Sequence, residues 1–115
     1  MLMSLRYQVV YNLINNALNY SGDSRHVIVR QECIGDTVKV SVQDFGTGIA
    51  KENLPLVWER YYKVDKEHRR SFNGSGLGLA IVRKILELHN AQYGVDSTLG
   101  QGSTFWFCLK VSDEN

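Results

Sequence analysis

The sequence has little of what marks a disulfide framework, a membrane span or a nucleic-acid surface. Its 115 residues include two cysteines and one proline, and basic residues exceed acidic ones by only one. This near-neutral balance argues against a nucleic-acid interface. No stretch is apolar for long enough to span a membrane or to form a signal peptide. Cys33 and Cys108 lie in apolar, strand-like runs, so we expect buried free thiols in a reducing compartment, without a zinc site.

Three common nucleotide and kinase motifs are also missing. Gly74, Gly76 and Gly78 do not match the dinucleotide-binding fingerprint, because Leu79 stands where glycine or alanine is needed and no strand precedes them. The Gly-Lys-Ser/Thr of a P-loop is absent from the sequence. The His-Arg-Arg at residues 68–70 is not the His-Arg-Asp of eukaryotic-type protein kinases. A nucleotide site in this chain would therefore have a different form.

Apolar periodicity predicts the order helix, two strands, helix, two strands. Helical spacing covers about residues 2–20, and strand-like alternation covers 26–35 and 36–46 with a hairpin turn at Gly35-Asp36. A short helix is expected near 54–58, and two further strands near 91–97 and 103–111. We expect a single α+β domain, a two-layer sandwich with about three helices on one face of a mixed or antiparallel sheet.

The two strongest helices each show an apolar stripe. In the first helix the predicted buried stripe is Leu2, Leu5, Val9, Leu13 and Ala17, widened by Val10, Ile14 and Leu18. In the other strong helix, which follows the glycine-rich segment 74–78, the predicted stripe is Leu77, Ala80, Ile81, Ile85 and Leu88. These stripes predict how each helix faces the sheet.

An asparagine stripe lies beside the core stripe of the first helix. Asn12, Asn16 and Asn19 are spaced i, i+4 and i+7, so they share one face, although asparagine is a mediocre helix former. A solvated polar face is the ordinary explanation. Because the stripe borders the core, it can instead line a polar pocket, where amide oxygens can bind a hard cation such as Mg²⁺.

Two glycine-rich segments can bring backbone close to a ligand. Asp44 ends an alternating strand and could accept a hydrogen bond from an amino group, while Gly46 and Gly48 follow directly; a plain strand-ending turn is the alternative. The second segment, residues 74–78, precedes a helix whose N-terminal N–H groups could bind an anion; a flexible loop or helix cap is the alternative. Before it, residues 60–76 form a long polar loop of the kind that is usually functional or disordered.

Five segments together resemble a known family. NLINNALNYS (12–21), DFGTGI (44–49), VWERYYKVD (57–65), GSGLGLAIV (74–82) and GQGSTF (100–105) are similar, in this order, to the N, G1, F, G2 and G3 boxes of the catalytic and ATP-binding domain of bacterial sensor histidine kinases. That domain belongs to the GHKL superfamily, with gyrase and mismatch-repair ATPases. The resemblance implies a Bergerat-type sandwich in which ATP lies between helices and sheet.

The resemblance also implies roles by position. Asn16 corresponds to the Mg²⁺ ligand and Asn12 to a catalytic amide near the phosphates. Tyr20 corresponds to the aromatic that packs on adenine, and Asp44 to the acceptor for its amino group. The remaining expected ATP contacts are Gly46, Gly48, Ile49, Tyr61, Lys63, Gly74, Gly76, Leu77, Gly78, Leu79 and Thr104. Among these, Lys63 would reach the γ-phosphate as a catalytic cation, and Thr104 would support the adenine contact through water.

The implied function is transfer of the γ-phosphoryl group of ATP to a histidine on a separate dimerisation domain, with a response regulator as the indirect partner. None of His26, His68 and His89 matches the family's acceptor pattern. We therefore expect residues 1–115 to be one monomeric, cytoplasmic domain excised from a longer kinase anchored in the inner membrane, without nucleic-acid or direct membrane contact. The alternatives are an anti-sigma-factor type serine kinase and a degenerate ATP-binding module, since Asn19 replaces a common lysine. An ATP-hydrolysing machine is disfavoured, because Asn12 stands where such enzymes have a glutamate base.

Overall fold

A computed structural model describes residues 2–21, 26–59 and 78–110, with the side chains of the first helix described from Tyr7 to Asn19. The helices are α1 (Leu2–Tyr20), a 3₁₀ helix (Lys51–Leu56) and α2 (Gly78–Leu88). The strands are β1 (Val27–Ile34), β2 (Thr37–Asp44), β3 (Gln92–Thr98) and β4 (Gly102–Lys110). They form one sheet in the order β1-β2-β4-β3, in which every neighbouring pair is antiparallel. Neither α1 nor α2 is long and apolar enough to cross a membrane.

The predicted fold class is confirmed: an antiparallel sheet carries helices on one face, as in an α+β sandwich. The predicted element order and the Gly35-Asp36 hairpin turn are also found. The expected short helix near 54–58 begins and ends earlier, as the 3₁₀ helix. The one proline of the sequence, Pro55, lies inside this 3₁₀ helix. Proline has no backbone N–H, and so short a helix tolerates the loss of that donor.

The core lies between the inner face of the sheet and the helices. Side chains alternate along each strand, so cross-strand partners share a face. Val42 pairs with Phe105, and Val40 pairs with Phe107. Val42, Phe105 and Phe107 are at most 1% exposed. The last inner-face pair in this direction is Asp44 with Ser103, so a carboxylate continues the line of the buried apolar residues.

The two α-helices differ in how well their sequences predicted the buried face. In α1 the described part of the expected stripe, Val9, Leu13 and Ala17, is buried as predicted. In α2 the expected stripe is correct only in part. Ala80 is buried and Ile85 packs against the core, but Val82 and Leu86 are buried as well, whereas Ile81 and Leu88 are 38% and 70% exposed. The apolar residues of α2 cover a broad arc opposite Arg83, Lys84 and Glu87, and packing against α1 and the sheet buries only one side of that arc.

Strand β1 is more exposed than its alternating pattern predicts. Val29 is 48% exposed, and Cys33 is also exposed, although both are on the inner face, opposite Val42 and Val38. β1 is an edge strand, and among the strands α1 packs chiefly over β2. The expectation of two buried thiols is therefore wrong: Cys33 is exposed, and Cys108 is half-buried on the outer face.

The outer face of the sheet carries one large aromatic side chain. Trp106 of β4 lies against Gly94 of β3, where a Cβ atom would come within 2.7 Å of the indole ring. The Lys39 ammonium lies 5.0 Å from the centre of the same ring, a cation–π arrangement. Trp58, in contrast, is buried on the inner face, edge-on to Tyr93 and Phe105.

Candidate functional site

Asp44 is the most unusual polar residue of the described chain. Its side chain is 1% exposed, and its Oδ1 atom accepts a 2.9 Å hydrogen bond from the Gly46 N–H. Its Oδ2 atom is buried and has no hydrogen-bond partner among the described residues. Burial raises the pKa of this carboxyl, while hydrogen bonds from the backbone of Gly46 and Ser103 oppose the rise. Since buried polar atoms are normally paired, the free oxygen points to a missing donor.

The loop that follows Asp44 is tied to the turn between β3 and β4. Gly48 has φ +78°, and a Cβ atom there would collide with the Thr98 carbonyl oxygen. Gly102 has φ +113°, and a Cβ atom there would collide with the Asp44 carbonyl oxygen. Both positions therefore require glycine. The Gly100 N–H donates to the Thr47 carbonyl oxygen at 2.8 Å, which fixes the two segments together.

Two serines complete this tie. The Ile49 N–H donates to Ser97 Oγ at 2.7 Å, and Ser97 Oγ donates to the Gly102 carbonyl oxygen at 2.9 Å. The Ser97 and Ser103 hydroxyl oxygens lie 2.8 Å apart. Neither serine was expected in the site. The available signal for Ser103 was the strand alternation that places it on the same face as Phe105.

Thr104 does not lie where the expectation placed it. It pairs with Gln43 on one side and Asp96 on the other, so its side chain is on the outer face, away from Asp44. The hydroxyl that shares a face with Asp44 belongs to Ser103, which is 5% exposed. Thr104 is therefore not placed to support a contact beside Asp44, as had been expected of it.

The asparagine stripe borders the core, as expected, with all its described members half-buried. Asn16 has its Nδ2 atom buried without a hydrogen-bond partner in the described ranges. A Cβ atom built on Gly78 would lie 3.8 Å from Asn12 Oδ1, so Asn12 is beside the first residue of α2. The fold thus brings the Asn12 amide to the N-terminus of a helix, which favours negative charge.

The other predicted site residues divide into two groups. Gly46 and Gly48 form the loop after Asp44, Ile49 is 4% exposed below it, and Leu79 is half-buried against the core. Outside the described residues lie Tyr61, Lys63, Gly74, Gly76, Leu77 and the side chain of Tyr20. The described residues therefore offer a buried acceptor at one place and the Asn12 amide beside a helix N-terminus at another.

The sequence matches a family model described as histidine kinase-, DNA gyrase B-, and HSP90-like ATPase over residues 4–113. It is 39% identical over 111 residues to the sensor histidine kinase WalK of Bacillus subtilis, a match that covers 93% of this chain and 18% of WalK. The chain thus spans about a fifth of the length of this relative.

Solved structures agree with the sequence comparison. The fold matches the mycobacterial sensor histidine kinase MprB with a TM-score of 0.77 and 29% identity, covering 93% of this chain and 70% of that one. It matches full-length ShkA, crystallised in complex with AMPPNP, with a TM-score of 0.75 and 30% identity, over 91% of this chain and 21% of that one. With these boxes, this sheet and this helix arrangement, the chain belongs to the histidine kinase-, DNA gyrase B- and HSP90-like ATPase family, as a catalytic ATP-binding domain of the sensor histidine kinase type.

Proposed function

We propose that this domain binds ATP with Mg²⁺ and donates the γ-phosphoryl group to a histidine on a separate dimerisation domain of the same kinase. The family membership establishes an ATP-binding kinase domain of two-component systems. The observation that most directly supports ATP as the ligand is the free Oδ2 atom of buried Asp44, because this atom can accept a hydrogen bond from a ligand.

Asp44 supplies recognition of the base. The 6-amino group of adenine would donate to its free oxygen, whereas guanine presents a carbonyl oxygen at that position. Two acceptors would then face each other with no proton between them, and leaving buried polar groups unpaired is the strongest means of rejecting a close analogue. Gly46 and Gly48 leave room for the base to approach the backbone, and Tyr20 would pack on its ring.

The amides and the start of α2 supply the phosphate end. Asn16 would bind Mg²⁺ through its side-chain oxygen; its buried, unpartnered amide fits this role because rotation of the carboxamide exchanges nitrogen for oxygen. A single protein ligand is consistent with Mg²⁺, because this ion usually takes few protein ligands plus phosphates and water. Bound there, the ion neutralises charge that develops on the phosphates during transfer.

Asn12 and the N-terminus of α2 would position the phosphates. From the segment outside the described residues we expect Lys63 to contact the γ-phosphate, and Tyr61, Gly74, Gly76 and Leu77 to complete the site with Gly78 and Leu79. The nucleophile would be the histidine of the partner domain. We further propose that residues 1–115 belong to a longer membrane-anchored kinase that passes the phosphoryl group to a response regulator, and that the domain by itself is a cytoplasmic monomer.

Calorimetric titration of ATP and Mg²⁺ into the wild-type chain and Asp44→Ala tests the base site. We expect wild-type binding and at least about tenfold weaker binding in the variant, as for a lost hydrogen bond to a buried charge. Asp96→Ala is the matched control, since Asp96 is exposed on the outer face, and it should bind like wild type. Unchanged binding in Asp44→Ala, or no binding to wild type, would refute the assignment.

A transfer assay tests the direction of the phosphoryl group. With ATP labelled at the γ-position, we expect no stable label on the isolated chain and acid-labile label on an added dimerisation domain. Stable histidine phosphorylation of the isolated chain at residue 26, 68 or 89 would contradict the proposal. ATP binding without transfer to any cognate domain would indicate the degenerate module instead.

A further inference from the structure

Ser97, at the end of β3, has a hydroxyl group that contacts three polar groups, which is the full hydrogen-bonding capacity of a serine hydroxyl. It lies directly opposite Ser103 across the β3–β4 pair. Its Oγ atom is 2.7 Å from the Ile49 nitrogen, 2.9 Å from the Gly102 carbonyl oxygen and 2.8 Å from Ser103 Oγ. These three contacts decide where the hydroxyl protons of both serines point.

A serine hydroxyl has one proton and two lone pairs. The Ile49 N–H can only donate, so it occupies one lone pair of Ser97. The Gly102 carbonyl oxygen can only accept, so it takes the single Ser97 proton. The 2.8 Å contact between the two serine hydroxyls can then be a hydrogen bond only if Ser103 donates to Ser97. Ser103 therefore has no proton left for a ligand and offers lone pairs alone.

Ser103 is also the cross-strand partner of Asp44, and its backbone opposes the rise in the pKa of the Asp44 carboxyl. The hydroxyl of Ser103 and the free Oδ2 atom of Asp44 are thus buried on the same face at the same end of the sheet. With the Ser103 proton directed to Ser97, this end of the pocket consists of hydrogen-bond acceptors.

We propose that Ser97 is a positioning residue that keeps Ser103 an acceptor, so that the pocket selects a purine with an amino group at C6 over one with a carbonyl oxygen there. The proposal rests on the proposed function, in which the base lies against Asp44. Ser97 itself touches no part of the nucleotide in this account. Its effect on selectivity passes through the direction of the Ser103 proton.

The test compares dissociation constants of ATP and ITP, which differ at C6 and N1 of the base, for wild type, Ser97→Ala and Ser97→Thr. In Ser97→Ala the Ser103 proton is released and can donate to the inosine oxygen. The preference for ATP over ITP should then fall roughly three- to tenfold, the range for one net hydrogen bond. Ser97→Thr keeps the hydroxyl and should keep the wild-type preference. Ser97→Cys, with a weaker donor and acceptor, should lower the preference as well and serves if Ser97→Ala does not fold.

A second comparison separates this role from simple support of the loop. Ser97→Ala made in a Ser103→Ala background should no longer change the ATP-to-ITP ratio, because the proton it would release is absent. If Ser97 only holds the Gly48–Ile49 segment in place, its loss weakens both nucleotides equally and leaves the ratio unchanged in every background. That result would overturn the proposal.

Failure of the proposed function gives a different pattern. If wild type binds no ATP, or if Asp44→Ala binds ATP like wild type, both the base site and the role of Ser97 are wrong. If ATP binding depends on Asp44 and the ratio still does not respond to Ser97→Ala, only the role of Ser97 is wrong.

Discussion

Asp44 has two properties that make its ionised form unfavourable in the ligand-free domain. A carboxylate that is 1% exposed has lost most of its hydration, and burial raises its pKa above the ordinary value of 3.8. One of its oxygens is also without a partner in the described structure. A residue kept in this condition decreases the stability of the fold when it ionises, and a ligand that donates to it recovers part of that cost.

Asp44→Asn should therefore stabilise the ligand-free domain at neutral pH while it weakens ATP binding. A raised pKa in the folded state means that the contribution of Asp44 to stability is fully present below its unfolded pKa and is lost as pH rises through the folded pKa. The melting temperature of the variant should exceed that of wild type by a few degrees at pH 7, and the difference should shrink towards pH 3.8 and below. Thermal unfolding followed by circular dichroism across this range measures it. A variant that is less stable at pH 7 would show that the carboxylate is not penalised.

Gly102 and Gly35 both have positive φ angles, yet they differ in surroundings. A Cβ atom at Gly102 would collide with the Asp44 carbonyl oxygen, whereas one at Gly35 would meet no atom within 4 Å. Gly35→Ala should cost about 1 kcal/mol for the left-handed backbone alone. Gly102→Ala should cost about 3 kcal/mol or more, because it adds a backbone collision. Urea unfolding of both variants measures the two losses in the free energy of unfolding. Equal losses would mean that the backbone of Gly102 does not pack tightly against the Asp44 carbonyl group.

The residues of the candidate site could be singled out only in part from the sequence. Asp44, Asn12 and Asn16 stand out because their residue types are unusual for their positions in a strand and a helix. Ser103 was missed because adjacent hydroxyls at 103 and 104 differ only in which face of β4 they occupy. The alternation places Ser103 with Phe105 and Thr104 with Trp106, and because both faces of β4 carry apolar residues, the sequence alone did not decide which face is inner.

At the scale of the elements, patterns with one clear period were predictable and crowded ones were not. In α1 the stripe Val9, Leu13 and Ala17 borders an asparagine stripe, and in β2 the apolar residues alternate with polar ones, so the buried face was predictable in both. In α2 the apolar residues cover a wider arc than the part that contacts the core, so which side of the arc is buried followed from packing. For β1 the alternation was correct, but exposure depended on its place at the sheet edge, which is a property of strand order.

The alternation of β4 can be tested with two neighbouring aromatic residues. Phe105 is 1% exposed in the core, while Trp106 lies on the outer face against Gly94 and Lys39. Phe105→Ala should lower the free energy of unfolding by about 3–5 kcal/mol, as for a large cavity in a core. Trp106→Ala, although it removes the larger ring, should cost about 1–2 kcal/mol from surface packing and a cation–π contact. Denaturant unfolding with a common m-value measures both, and the reverse order would contradict the register of β2 and β4.

At the scale of the whole molecule, the domain is one layer of helices over one sheet, and it spans 18% of WalK. The arrangement places the buried acceptor of the sheet and the amide stripe of α1 within a single folded unit. Binding of the nucleotide therefore needs no second domain in our proposal, whereas transfer does.

ATP with Mg²⁺ should raise the melting temperature of the isolated chain. At a concentration about 100 times the dissociation constant, binding to the folded state alone contributes about 2.7 kcal/mol, which corresponds to a shift of several degrees for a domain of this size. GTP should produce a much smaller shift at equal concentration. Differential scanning fluorimetry with both nucleotides is sufficient, and equal shifts would show that the base is not read by Asp44.

The placement of the two tryptophans on opposite faces of one sheet has a spectroscopic consequence. Trp58 is 8% exposed between Tyr93 and Phe105, and Trp106 is half-buried on the outer face beside the Lys39 ammonium. Iodide should reach Trp106 and not Trp58, so emission of the folded chain should separate into a quenchable component and a protected one. The quenchable part then reports on the outer surface of the sheet, and the protected part reports on the core.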